Sequence, residues 1–119
     1  MAAGIYKLVI EQGETFQRAF KVKYKSTGLM KDYSGWTAAM QIRKSHTSTT
    51  VILSLTTANS KIVAVTGNPN YNVLIDIPAA DTAALAAGEY VYDIEMSQGA
   101  FVEKLLKGKL VVEPEVTKV

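Results

Sequence analysis

Residues 36–43 read Trp36-Thr37-Ala38-Ala39-Met40-Gln41-Ile42-Arg43, and their spacing sets the fold class. Trp36, Ala38, Met40 and Ile42 take alternate positions, opposite Thr37, Gln41 and Arg43. Successive side chains of an extended chain point to opposite faces, so this pattern predicts a strand with one buried and one wet face. The same period of two continues on both sides. In segment 15–24, Phe16, Phe20, Val22 and Tyr24 share one face while Gln17, Lys21 and Lys23 share the other. Downstream, Tyr90, Tyr92, Ile94 and Met96 face away from Val91, Asp93 and Glu95. Further strands are expected at 5–10, 51–55, 61–65, 101–106 and 110–113, and at 71–77, where Val73, Ile75 and Ile77 alternate.

Turn chemistry separates these segments. Glu11-Gln12-Gly13, Ser26-Thr27-Gly28, Gly67-Asn68-Pro69-Asn70 and Gln98-Gly99 combine residues that tolerate positive φ or fix it. A hydroxyl-rich loop runs over 45–50, and Gly108 is expected to mark a bulge or bend. The one good helix signal is the alanine-rich stretch 79–87, with Asp81 expected to cap its start and Gly88 to suit its exit. About eight short strands at turn spacings near ten residues, without βαβ alternation, predict an all-β chain. The expected architecture is an antiparallel β-sandwich, Ig-like or jelly-roll-like, with one short connecting helix near 79–87. A single domain is expected over 1–113. Pro114-Glu115-Val116-Thr117-Lys118-Val119 has little apolar content with which to hold itself down, so 114–119 is expected to extend onto a neighbouring subunit.

The chain has 119 residues, one domain's worth, and 48% hydrophobic and 20% charged residues place it among ordinary globular domains. Without Cys, disulfides, thiolate metal sites and cysteine nucleophiles are excluded. One histidine, His46, rules out a multi-histidine site within the chain. A net charge of +2 with interspersed signs argues against nucleic acid as the main partner. The apolar runs are far below the about 20 residues of a membrane span, and Met1-Ala2-Ala3-Gly4 shows no secretory signal.

Four residue groups invite a chemical reading. His46 beside Ser45 suggests a dyad, but adjacent loop residues rarely reach triad geometry, and an exposed loop histidine is expected. Asp93 and Glu95 share a strand face and suggest glycoside hydrolysis, or a calcium site with Asp76. Acidic residues on a solvated strand face are the plainer reading. Lys21, Lys23 and Lys25 form a cationic row without aromatics on the same face, as expected for a solvated or edge-guarding row. Most aromatics fall on apolar phases and belong to the core, whereas Tyr6, Tyr33 and Tyr71 are candidates for an interface, together with Pro114, Val116 and Val119. Stacking of a sugar on Tyr33, Tyr71 or Trp36 is the reading that would make the chain a carbohydrate-binding module.

The ordered segments Gln12-Gly13-Glu14-Thr15-Phe16, Tyr33-Ser34-Gly35-Trp36-Thr37-Ala38-Ala39-Met40-Gln41-Ile42-Arg43, Thr82 to Glu95, Leu106-Lys107-Gly108-Lys109-Leu110-Val111-Val112 and Pro114-Glu115-Val116-Thr117 span nearly the whole chain. Together they resemble a family of small tailed-phage virion proteins related to the N-terminal module of baseplate upper proteins. The resemblance implies a β-sandwich that attaches peripheral components to the particle. Such a protein is no enzyme, holds no cofactor or metal and takes no small-molecule substrate. It is made in the host cytoplasm and resides in the virion. Its partners are other virion proteins and copies of itself, with no membrane. A capsid decoration protein is the neighbouring alternative, since the chain lacks the helical linker and receptor-binding part of the larger baseplate proteins.

Overall fold

The computed structural model describes residues 4–24 and 26–116. The described chain folds as an all-β sandwich of two sheets. Its elements in order are β1 (Gly4–Ile5), β2 (Leu8–Glu11), β3 (Phe16–Phe20), β4 (Thr37–Arg43), β5 (Leu53–Thr56), β6 (Ile62–Ala64), β7 (Val73–Ile77), α1 (Ala79–Ala84), β8 (Gly88–Gln98) and β9 (Phe101–Glu113). The larger sheet has the order β1-β9-β8-β4-β5, with β2 also on β9, and the smaller has the order β3-β7-β6.

Gly4 stands opposite Leu106 and Leu8 opposite Leu110, the same offset, so β1 and β2 are one edge strand interrupted at Tyr6 and Lys7. This edge runs parallel to β9, whereas the sequence predicts antiparallel pairing throughout. A parallel pair needs a long connection, and here the rest of the domain supplies it. At the interruption the Tyr6 amide donates to the Lys107 carbonyl at 3.0 Å, and the Tyr92 hydroxyl donates to the Tyr6 carbonyl. Gly108 lies beneath this crossing, where a Cβ would run into the Tyr6 carbonyl oxygen. The glycine therefore marks a close approach of two backbones and not the expected bulge. β9 passes through it unbroken, and the register slips only between Ile94 and Glu95, where Leu105 is the extra residue.

The two inner faces bury Leu8, Ile10, Met40, Ile42, Leu55, Ile62, Ile75, Ile77, Ile94, Met96 and Leu110 almost completely. The alternation in 36–43 and 90–96 holds in space: Ala38, Met40 and Ile42 face inward with Tyr90, Tyr92, Ile94 and Met96. Several boundaries differ from expectation: α1 ends at Ala84 and not at 87, and β7 begins at Val73 and not at 71. The fourth sequence segment becomes a strand only at Leu53, with Val51 and Ile52 exposed, although the Ile52 amide already donates to the Ile42 carbonyl at 2.8 Å. Segment 15–24 leaves its sheet after Phe20.

The sheets differ in reach. β8 has 11 residues and β9 has 13, against 5, 5 and 3 for β3, β7 and β6. At about 3.3 Å per residue, β9 spans roughly 43 Å and β3 roughly 17 Å, and the domain's longest extent is 45 Å. The large sheet thus overhangs the small one at both ends. At one end, α1 and the β2–β3 turn cover the overhang. Gln12 Nε2 donates to the Leu85 carbonyl at 2.7 Å, while the buried Thr82 hydroxyl accepts from the Gly13 amide at 3.1 Å and donates to the Glu14 carbonyl at 2.7 Å. The helix starts at Pro78 without a side-chain cap. Asp81 lies inside the first turn and pairs with Lys61 at 2.6 Å, so the expected Asp81 cap does not form.

Candidate functional site

The opposite overhang is covered by a hairpin arm. After Phe20 the chain projects over 21–24 and returns over 26–31: Lys23 bridges Met30, the Tyr24 amide donates to the Leu29 carbonyl at 2.8 Å, and the Lys31 amide donates to the Val22 carbonyl at 2.9 Å. Gly28, at φ +70, permits the turn. Buried Asn72 clamps the base of the arm. Its Oδ1 accepts from the Val22 amide at 2.9 Å, and its Nδ2 donates to the Val22 and Lys31 carbonyls at 3.0 and 2.8 Å. A buried amide with all these bonds made fixes the arm to the small sheet.

Between the arm and the β8–β9 turn lies a cavity of about 450 Å³ walled by Tyr24, Trp36, Phe101 and Val102. Its floor is an ion pair: Lys31 Nζ lies 2.6 Å from Glu103 Oε1, with side-chain exposures of 6% and 11%. The Tyr33 hydroxyl donates to the same oxygen at 3.3 Å. Burial, reinforced by the Glu103 charge, pushes the Tyr33 phenol well above its ordinary value, so it stays a donor. Trp36 meets Tyr33 and Phe101 edge-on, with ring centroids 5.4 and 5.8 Å apart. Phe101 is 64% exposed, Val102 52%, Tyr24 47% and Leu29 67%. Four large apolar side chains exposed at one end of a small domain mark a contact surface.

Only part of this cluster was signalled by the sequence. Tyr24 is expected on the buried phase of its segment, but the backbone leaves the sheet four residues earlier and the ring ends up at the surface. Phe101 carries a signal in its position two residues after Gly99 at a hairpin turn. Tyr33, a candidate interface residue, is only 2% exposed and serves the floor, which also removes it as a sugar-stacking ring. The Trp36 ring stays partly open.

The remaining candidates lie elsewhere. The Tyr6 ring packs edge-on against Phe20 and its hydroxyl accepts from Arg18 at 3.1 Å. Tyr71 is half-buried at the entrance to β7, Pro114 is exposed and Val116 is 97% exposed. Val119 lies outside the described residues, as does Lys25 of the lysine row. Glu115 folds back on its own domain, its amide donating to Gln12 Oε1 at 3.2 Å and its carboxylate packing over Gly13. His46 is exposed on its loop, where the Ser45 hydroxyl pairs with Thr47 at 3.4 Å.

Asp93 and Glu95 face outward from the large sheet beside a shallow trough of about 360 Å³ that Arg43, His46 and Lys107 also line. Lys104 Nζ bridges the two acids at 3.8 and 2.5 Å, which raises the lysine's pKa, chiefly through the Glu95 hydrogen bond. Asp76 faces outward from the opposite sheet, so it cannot complete a calcium site with them. Among the described residues no cluster of three or more His, Asp or Glu is arranged for a metal, and no helix is long and apolar enough to cross a membrane.

No protein-family model matches this chain, and neither does any curated protein. Among solved structures it is similar to CopC from Methylosinus trichosporium OB3b, at 17% sequence identity and a TM-score of 0.40, covering 69% of this chain and 67% of that chain. A likeness of that size has no bearing on what the chain binds or where it works.

Proposed function

We propose that this chain is a non-enzymatic attachment protein of a tailed-phage particle, joining components of the tail, baseplate, collar or capsid surface through protein contacts. The observation that carries the reading is the apolar cluster of Tyr24, Leu29, Phe101 and Val102 exposed at the hairpin end. Contact surfaces are enriched in aromatics grouped around a desolvated centre, and here that centre is the Lys31–Glu103 pair with Trp36 above it. Two of the four sheet edges are poor docking templates, the other two being the β1–β2 strand and β3. β5 and β6 offer four and three residues, and short edges resist pairing with another strand. The ordered sequence resemblance to phage virion modules supplies the setting.

The test is mass spectrometry of purified virions from the strain that carries the coding sequence. The chain is expected in stoichiometric amounts, and its absence from clean particles would overturn the reading. A second reading, a carbohydrate-binding module, is favoured by the aromatic walls of the cavity and the Asp32 carboxylate that also lines it. A glycan array probed with wild type and Trp36→Ala separates the two: reproducible hits lost in the variant favour the sugar.

A further inference from the structure

We propose that copies of this chain stack head to tail, the hairpin end of one seated on the helix end of the next. The inference deepens the attachment reading and rests on its premise that the chain works through protein contacts. The ends are well defined. The β8–β9 hairpin places Phe101 at one end and Glu113 at the other, and β2, parallel to β9, brings Glu11 beside Glu113. Thr82 bonded to the Glu14 carbonyl adds α1 to that second end.

The charges at the two ends are opposite in balance, with Asp32 the acid beside the hairpin arm and Lys44, over the Tyr90 ring, the base beside Gly88 at the helix end. Lys21 and Lys23 are exposed on the hairpin arm, and neither has an acidic partner among the described residues. Glu11, Glu14 and Glu113 are exposed at the helix end, equally without a basic partner there. The domain is 45 Å long, several times the Debye length of about 8 Å at physiological ionic strength. One molecule therefore cannot neutralise its own ends, whereas two in line can. The apolar surfaces also fit. The hairpin end presents large side chains, Phe101, Leu29 and Tyr24, while the helix end presents a shelf of small ones, Ala83, Ala84, Ala86 and Ala87, all exposed. Knobs on one surface and a flat shelf with an oppositely charged rim on the other make a heterologous contact. A contact of that kind closes into a ring or continues as a filament.

The test is the mass of the full chain by light scattering and sedimentation over a concentration series. At an ionic strength of about 0.01 M, where screening reaches about 30 Å, species larger than a dimer are expected; at about 1 M, where it falls to about 3 Å, they dissociate. Two charge-reversed proteins are then compared, Lys21→Glu with Lys23→Glu, and Glu11→Lys with Glu113→Lys. Each alone is expected to self-associate at least tenfold more weakly, and an equimolar mixture to regain assembly, because the mixture restores opposite signs at every junction. All substitutions are at exposed positions, and circular dichroism checks that each protein is folded. A wild type that stays monomeric, a reversed protein that assembles as wild type does, or a mixture that stays monomeric overturns the proposal. A monomer found in virions sinks the stacking alone, and a stacking chain absent from virions sinks the phage setting alone.

Discussion

Ile94 and Phe101 belong to the same hairpin and the same side-chain phase. Phe101 stands opposite Gln98 in the register that turns Ile94 and Met96 inward. Yet Ile94 is fully buried and Phe101 is 64% exposed. The difference is what lies across from them. Ile94 faces the small sheet, whereas Phe101 lies beyond it, over an arm that brings Lys31 and Tyr33 to the gap but does not close it. In a sandwich of unequal sheets, inward phase gives burial only as far as the shorter sheet reaches. The excess becomes surface, and at this end that surface is apolar.

Substitutions probe this contrast directly. Ile94→Ala, in the covered middle, is expected to cost the most, about 4 kcal/mol of unfolding free energy in a urea titration, from lost transfer energy plus a cavity. Glu103→Ala, beneath the overhang, removes the buried carboxylate that Lys31 and Tyr33 share and is expected to cost about 3 kcal/mol. The double change Lys31→Met with Glu103→Leu removes both charges and is expected to fall within about 1 kcal/mol of wild type. If the single and double changes cost the same, the pair is solvated and the floor is not closed.

A smaller effect is expected from Tyr92→Phe, which removes the hydroxyl from the Tyr6 carbonyl, at about 1 kcal/mol near neutral pH. Burial pushes the Tyr92 phenol up to about 12 from an ordinary 10.0. The unfolded chain therefore loses this proton first, and raising the pH from 10 to 12 favours unfolding. Denaturation followed over that window should show a shallower decline in Tyr92→Phe than in wild type. The smallest effect is expected for Phe101→Ala, below about 0.5 kcal/mol because the ring is already mostly in water. A cost near that of Ile94→Ala would show the overhang to be core after all.

The period-two reading recovered what depends on neighbours along the chain. Ala38, Met40 and Ile42 on β4, and Tyr90 to Met96 on β8, lie where the alternation puts them, because both strands run through the middle of the larger sheet. It failed where a distant segment decides. Tyr24 keeps the phase of Phe20 on paper, but Asn72, 50 residues from Val22, anchors the arm that takes it out of the sheet. Gly108 reads locally as a bend, and only the Tyr6 backbone crossing it explains the missing side chain. Of the candidate site, Phe101 reads as a core aromatic from its phase, and the neighbouring Gln98-Gly99 turn is the signal that sets it beyond the core. The Lys31–Glu103 floor joins residues 72 positions apart and has no local signature.

The parallel pairing of β2 with β9 has a mechanical meaning. β2 begins toward the hairpin end, and β9 finishes at the helix end. Traction applied to the chain before β2 and after β9 therefore slides the two strands lengthwise past each other. Across the four paired positions from Leu8–Leu110 to Glu11–Glu113, the ladder's bonds lie across the load and share it, where a hairpin pulled from its open end would give way one rung at a time. Pulled along these strands, the domain meets its load as sheared pairs and not as unzipped ones.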